Sequence, residues 1–422
     1  MNGVMENTKT LNTIEDENNS EITGSDNCEV TNIVSLPENV MFEILVRVPA
    51  QDIYHTAGLV CPSWHKITRT HDFVRAHLRQ STYGLLIQNR VLVFDVLVFV
   101  ATPKDQIEVS KFNIGLNQRE ILSSCNGLVL LYLNDNKSDL YISNPAIKRR
   151  YCNDGIAYAA MAYVAASMEY KVVRTTFSHN QRPRLQFCSI LTVGVDKDWT
   201  RCVNIQHLPM TAEKLLFSVQ PLTTEGFVHW ARTNDSEYVL TLNMETEIIT
   251  LHHVPSHVRR HHDGETKLSC RYLSTGSHLS MLIGDHARWK VWMMKPETGE
   301  WTNDVTSIDL EDEKCTFEVE EVSVLNCRVE PVGWSEFGEV LVFKVRTTIF
   351  DPNSRSLRIP YNICHHYGSF CITYNVCTRE IDSFKLECHE SDNYIAHKIS
   401  LVWLDQPGEE DVDADDIDDL WD

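Results

Sequence analysis

The sequence lacks a run of apolar residues long enough to cross a bilayer. Its most apolar stretch, Leu85 to Val100, is broken by Gln88, Asn89, Arg90 and Asp95 and falls short of the about 20 residues a membrane helix needs. That stretch reads as strands. The start, MNGVMENTKTLNTIEDENNS, has neither a basic opening nor an apolar core, which predicts no secretory leader and a chain working in the cytoplasm or nucleus. There is no C-x-x-C pair among the 13 cysteines; in a reducing compartment an odd set without that spacing is most simply a set of small buried hydrophobes. Phosphate-binding glycine loops, a G-x-S-x-G elbow and H-E-x-x-H are also missing, so no motif points to catalysis, a cofactor or a metal. Basic residues are scarce, 38 against 59 acids. Residues 1–34 hold seven acids and one lysine, and residues 408–422 nine acids and no base, so 15 of the 21 net negative charges sit at the ends. Nothing in that balance suits a nucleic-acid backbone.

What is present is an ordinary globular composition, 43% hydrophobic and 23% charged over 422 residues, enough for two or three domains. Residues 1–34 and 406–422 are polar and acidic, and such composition cannot offset the entropy of ordering. Between them, residues 35–80 have helical spacing. Val40, Ile44 and Val48 recur every four residues, and Cys61, Trp64 and Ile67 every three, as on one face of a helix. Ser35 and Glu38 fit a capping box with Pro37 in the first turn; Pro49 is expected to end that helix, with a second from about Gln51 and a third through Trp64. Gly58 weakens the second by about 1 kcal/mol relative to alanine.

Residues 81–405 change grain, to short runs of Val, Ile, Leu, Tyr and Phe between polar turns, a strand pattern. One unit recurs, a strand, a polar turn and a second strand, in LYISNPAIKRRY, YVLTLNMETEIITL, VWMMKPETGEW and CITYNVCTREIDSF, with Asn144, Asn243, Lys295 and Asn375 before the turn; a weaker copy carries Asp196. Steps from Asn144 through Asp196 and Asn243 to Lys295 are 52, 47 and 52 residues, the period of a four-stranded propeller blade. The next step, 80 residues, breaks the rhythm, and Asp351 is a candidate anchor for an extra unit. Glycines at 127, 226 and 338 precede apolar runs and are read as opening crowded inner strands. The expected architecture is thus α+β and multidomain: a small three-helix module, then an all-β domain read as a propeller, with a β-sandwich as the competing arrangement.

The helical stretch LPENVMFEILVRVPAQDIYHTAGLVCPSWHKITRTHDFVRAHL resembles an F-box, through Leu36-Pro37, Glu43-Ile44-Leu45, Arg47-Val48-Pro49, Val60-Cys61, Trp64, Phe73 and His77-Leu78. Downstream, SSCNGLVLLY, LYISNPAIKRR and EYKVVRTTF resemble the kelch-like F-box-associated domain of large plant families. The resemblance implies a non-catalytic substrate receptor of a Skp–cullin–F-box ubiquitin ligase, docking on a Skp-type adaptor, and through it on cullin, while the β domain holds a protein target. It also implies the adaptor contacts, Leu36, Pro37, Ile44, Leu45, Val48, Pro49, Leu59, Val60, Cys61 and Trp64. The segment's own physics agrees, because its apolar positions outnumber what a core this small can hide. A lectin or sugar-handling enzyme with an unrelated helical extension is the alternative.

Two clusters invite a metal. His253, His257 and His261 fall at helical spacing beside His252 and His262, but Pro255 interrupts the backbone, so a polar loop between blades is the better reading. Cys364, His365, His366, Cys371 and Cys377 alternate as in a strand.

Overall fold

The structure, a computed structural model, describes residues 36–402 except 89–95, 103–106, 114–118, 134–138, 146–148, 155–157, 178–185, 200, 233–236, 256–267, 286–287, 303–305, 311–326, 337, 349–365 and 385–391. The acidic ends, Ser35, Asp351, His257, His261, His262, Cys364 and His365 lie outside those residues. None of the described helices is long and apolar enough to cross a membrane.

The helical module has more pieces than expected. Helix α1 (Glu38–Leu45) begins after Pro37, whose carbonyl accepts the Val40 and Met41 N–H groups, and no side chain caps it. Pro49 does not end α1; it precedes the next helical stretch, α2 (Ala50–Asp52), a π turn over Ile53–Ala57 and α3 (Gly58–Val60). The wide turn gives way where Gly58 enters. Cys61 is extended and Pro62 opens α4 (Pro62–Thr68); Thr70, accepting from Phe73 N–H at 3.2 Å, caps α5 (His71–Gln80).

The β domain is a six-bladed propeller, each blade a four-stranded antiparallel sheet. The first blade joins β1 (Tyr83–Gln88), β2 (Val96–Ala101) and β3 (Glu108–Asn113) to the last strand of the chain, β24 (Asn393–Lys398). The second holds β4 (Arg119–Cys125), β5 (Leu128–Leu133), β6 (Asp139–Asn144) and β7 (Arg149–Asp154). The third holds β8 (Tyr158–Val164), β9 (Glu169–Phe177), β10 (Gln186–Thr192) and β11 (Arg201–Cys202). The fourth holds β12 (Leu222–Thr224), β13 (Phe227–Ala231), β14 (Tyr238–Asn243) and β15 (Ile248–His253); a short α6 (Met210–Glu213) precedes it. The fifth runs through β16 (Ser269–Ser274), β17 (Leu279–Gly284), β18 (Arg288–Met294) and β19 (Thr306–Asp309). The sixth runs through β20 (Cys327–Ser335), β21 (Val340–Thr348), β22 (His366–Asn375) and β23 (Ile381–Phe384). Strands β4, β8, β12, β16, β20 and β24 neighbour one another in a closed inner ring. This arrangement replaces the sandwich.

Each sheet is buried on both faces, and that explains the nearly continuous apolar runs. In β1, Leu86 packs towards Ile121, Val129 and Leu131 of the second blade, while Leu85 and Ile87 pack towards Val342 and Cys371 of the sixth. The same split gives one apolar cluster at every blade junction. Polar ties cross the seams as well. Lys171 Nζ lies 2.8 Å from Glu247 Oε1 and donates to the Met244 carbonyl at 3.0 Å, and the Trp334 indole donates to Ser280 Oγ at 2.8 Å.

The recurring turn joins the third and fourth strands of a blade. Asn243 Oδ1 accepts the backbone N–H groups of Glu245 and Thr246, and Asn375 Oδ1 those of Cys377 and Thr378. This is Asx-turn chemistry, closed by a left-handed residue at Glu247, Gly299 or Arg379. The glycines at 127, 226 and 338 sit one step earlier than expected, in turns between first and second strands, where φ is +87°, +73° and +91°. Left-handed backbone, more than crowding on an inner strand, is what selects them.

Candidate interaction surfaces

Antiparallel strands sort the propeller's connections by face. Turns from first to second and third to fourth strands leave one face, and links from second to third strands and between blades leave the other. The helical module sits on the first. Its last helix, α5, runs directly into β1; Arg75 of α5 reaches Met168, in the first turn of the third blade, at 2.6 Å; and Lys398 Nζ donates to the Leu78 carbonyl in the last turn of α5 at 3.2 Å, where a cation complements the helix dipole. Burial lowers the Lys398 pKa, with Glu225 opposing that shift.

Within the module, Met41, Leu45, Val46, Ala50, Ile53, Ala57, Ile67 and Phe73 form the core, with Leu36, Val48 and Trp64 at its margin. The ten residues expected to contact an adaptor therefore divide. Leu45 is 1% exposed and faces its own interior, so it is not available to a partner. Leu36, Val48, Cys61 and Trp64 are half-buried, and Pro37 and Pro49 exposed. Ile44, Val60 and Leu59 are exposed by 47%, 53% and 79%, and Val40, read from the sequence as sharing a helical face with Ile44 but not as an adaptor contact, and Tyr54 join them among the large exposed apolar side chains. Val40 precedes Ile44 by one turn of α1, a spacing that could have nominated it. Such exposure on one small module is what a partner covers.

At the axis, the inner strands line a cavity of about 120 Å³ bounded by Tyr83, Ser124, Cys125, Glu225, Ser274 and His397 among others. The free edges of inner strands would leave backbone groups unpaired. Side chains take them up: Gln220 donates to the carbonyls of Leu122 and Ala159, Asn393 to that of Ile121, Thr223 to that of Ser124, and Ser123 Oγ accepts Met161 N–H. Ser124 Oγ lies 2.7 Å from His397 Nδ1, a spacing that resembles a nucleophile and its base. Complete burial pulls the His397 pKa down to about 3, however, and a base that weak takes up little proton from a hydroxyl near neutral pH. Burial likewise pushes the neighbouring Cys125 thiol up to about 12. The pair is a stitch between β4 and β24.

The histidine candidates are structural where they are described. His252, next to last in β15, lies against Gly299 and hydrogen-bonds Thr250 Oγ1 at 2.9 Å; the ring of His253, which ends the strand, packs on Tyr238 at 4.9 Å. Cys371 is buried in β22 and Cys377 lies exposed in the turn after it. Among the described residues no group of three or more His, Cys, Asp or Glu side chains is placed to hold a metal.

Comparison with known proteins agrees with this geometry. None of the curated proteins matches the chain. Among solved structures, it is similar to a prolyl endopeptidase (10% identity, TM-score 0.35, 79% of this chain and 55% of that one). It is also similar to the β-propeller domain of Nup133 from Vanderwaltozyma polyspora (9%, 0.30, 76% and 77%) and to the tricorn protease (10%, 0.22, 70% and 26%). The chain thus spans about half the length of the first of these, and scores this low say nothing of chemistry or partners. The family models are decisive: residues 33–75 match the F-box domain, and residues 88–329, more than half of the chain, match the F-box associated beta propeller domain. The chain belongs to the family of F-box proteins that carry an F-box associated beta propeller.

Proposed function

We propose that this protein is a substrate-recognition subunit of a Skp–cullin–F-box ubiquitin ligase, working in the cytoplasm or nucleus without catalysis of its own. F-box domains bind Skp-type adaptors, and the observation that carries the reading here is the set of exposed apolar side chains, Val40, Ile44, Leu59 and Val60, on an F-box seated on a propeller. With the F-box on one face, the opposite face is left for a protein target, which would then be held away from the adaptor. The negative body mildly favours a basic target.

Burying a side chain as exposed as Leu59 is worth about 1.5–3 kcal/mol, so its loss weakens a complex about tenfold or more. The test is a binding titration of the full chain with a Skp-type adaptor, using Leu59→Asp and Ile44→Asp in place of any change at the buried Leu45. Each should bind at least tenfold more weakly with an unchanged melting temperature. Undiminished binding by both folded variants refutes the docking surface.

A further inference from the structure

The F-box core contains a residue from the far end of the chain. Leu401, 2% exposed, packs among Met41, Leu45, Val46, Ile53 and Phe73, and Ile399 leans on the same cluster while also touching the core between the first two blades. The next residue, Val402, points the other way, into the core shared by the second and third blades, where Val74 and Leu78 of α5 meet it. Residues 399–402 thus lie between the two domains and contribute to both interiors.

The propeller grips this segment by its backbone. Asn144 Nδ2 donates to the carbonyls of Ser400 at 2.9 Å and Val402 at 2.7 Å, and the fully buried Ser400 donates from Oγ to the Asn126 carbonyl at 2.8 Å. Gly127 lets the crossing happen, since a Cβ there would fall 1.9 Å from Ser400 Oγ. The segment continues directly from β24, the strand that pairs with β1 from Tyr83 to Gln88 and closes the ring. Its position is therefore fixed only when β24 has been inserted between β1 and the inner edge of the second blade.

We propose that residues 398–402 form an interdomain strap that makes the folded F-box conditional on a closed propeller. A chain whose ring is still open lacks Leu401 in the F-box core and the Lys398 contact to the end of α5, so its F-box is incomplete. Given the docking reading above, on which this consequence rests, an adaptor would then engage only receptors whose target-binding domain has finished folding.

Hydrogen exchange on the full-length protein tests the strap without any partner. Leu401→Ala removes the shared apolar side chain, and Asn144→Ala loosens the strap from within the propeller; Leu401→Val is the milder variant should the first fail to fold. The amides of α1 and α5 should exchange at least tenfold faster in these variants, while those of β13 and β17, on the far side of the ring, keep their wild-type rates. Adaptor affinity should fall at least tenfold in parallel. Wild-type exchange of the F-box amides in both the Leu401 and the Asn144 variant overturns the proposal. Leu59→Asp separates the two readings: it should weaken adaptor binding at least tenfold with F-box exchange unchanged, and if Leu59→Asp and Ile44→Asp both bind undiminished while the strap variants still accelerate exchange, the docking surface fails and the strap stands.

Discussion

Lowering the pH from 7.5 to 5.5 measures how much of the propeller's stability rests on two histidines held neutral in its interior. His229 in β13 is 0% exposed, with Nε2 2.9 Å from Thr224 Oγ1 and Nδ1 3.0 Å from Thr241 Oγ1; His397 in β24 is bound to Ser124 and packs edge-on to Phe99. Burial brings both pKa values down to about 3, for His229 with a further push from His252. An unfolded histidine titrates near 6.5, so between about pH 3 and 6.5 the unfolded chain binds protons that the folded one refuses. Their contribution is whole above pH 6.5 and shrinks as the pH falls. At pH 5.5 each histidine should have cost about 1.4 kcal/mol relative to neutral pH, about 3 kcal/mol for the pair. His77 and His252, also lowered by burial, act in the same direction. Asp196 does not interfere: burial pushes it up, but Thr192 N–H and Arg201 outweigh that and hold it below its ordinary value, so its share is lost only at more acid pH. Urea unfolding followed by the fluorescence of the buried Trp230, Trp289 and Trp334 reads the difference directly. His229→Gln and His397→Gln should each remove about 1.4 kcal/mol of the pH dependence. An unfolding midpoint that is the same at both pH values, or a pH dependence that both variants leave intact, refutes the argument.

Two further expectations follow from packing. Gly127→Ala incurs the left-handed φ, about 1–2 kcal/mol, and the collision with Ser400, about 1–3 kcal/mol, whereas Gly194→Ala, at φ +77° with nothing within 4 Å, incurs only the first; equal melting shifts in the two variants would show that the strap crossing is not tight. Glu247→Gln removes the charge facing both Lys171 and Arg201, and because Glu247 is about a quarter exposed the loss should be about 1–3 kcal/mol, less than a fully buried pair; adding Lys171→Met should recover part of it, and an additive double variant would count against the coupling.

The blade period was legible because turn chemistry demands particular residues. Asn243 and Asn375 must accept two backbone N–H groups each, so asparagine recurs at one place in the repeat. Asn144 holds the same position but spends its amide on the strap, a second role that the pattern hides. The first blade left no periodic mark, since it joins β1 to β3 with a strand some 280 residues downstream of β3. The 80-residue step, from just after β18 to the end of β22, advances by only one blade but holds two stretches, 311–326 and 349–365, outside the described residues. Crowding and positive φ select the same residue: all three glycines have left-handed backbone, and Gly127 is crowded as well, against Ser400, whereas Gly226 is not. Leu401 was invisible: one leucine after a strand carries no sign that its partners lie more than 320 positions away.

The division of apolar residues within the F-box follows from the same geometry. A helical module of about 45 residues buries too small a fraction of its surface to be stable alone, and here two remedies operate on different sides. On the propeller side, Ile399 and Leu401 are brought in and α5 turns Val74 and Leu78 towards the second and third blades. His77, buried and kept neutral, hydrogen-bonds the Val48 carbonyl at 2.9 Å and ties α5 to the turn after α1. Outside those contacts, Ile44, Leu59 and Val60 keep about half or more of their surface exposed among the described residues. Adjacent residues thus have opposite fates, Leu45 inward and Ile44 outward, as successive positions on a helix must when only one side is packed. Because the propeller already supplies the stabilising contacts, the remaining apolar face need not serve the fold. It is free to serve recognition, and a charge placed there should be tolerated by the monomer and resisted only by a partner.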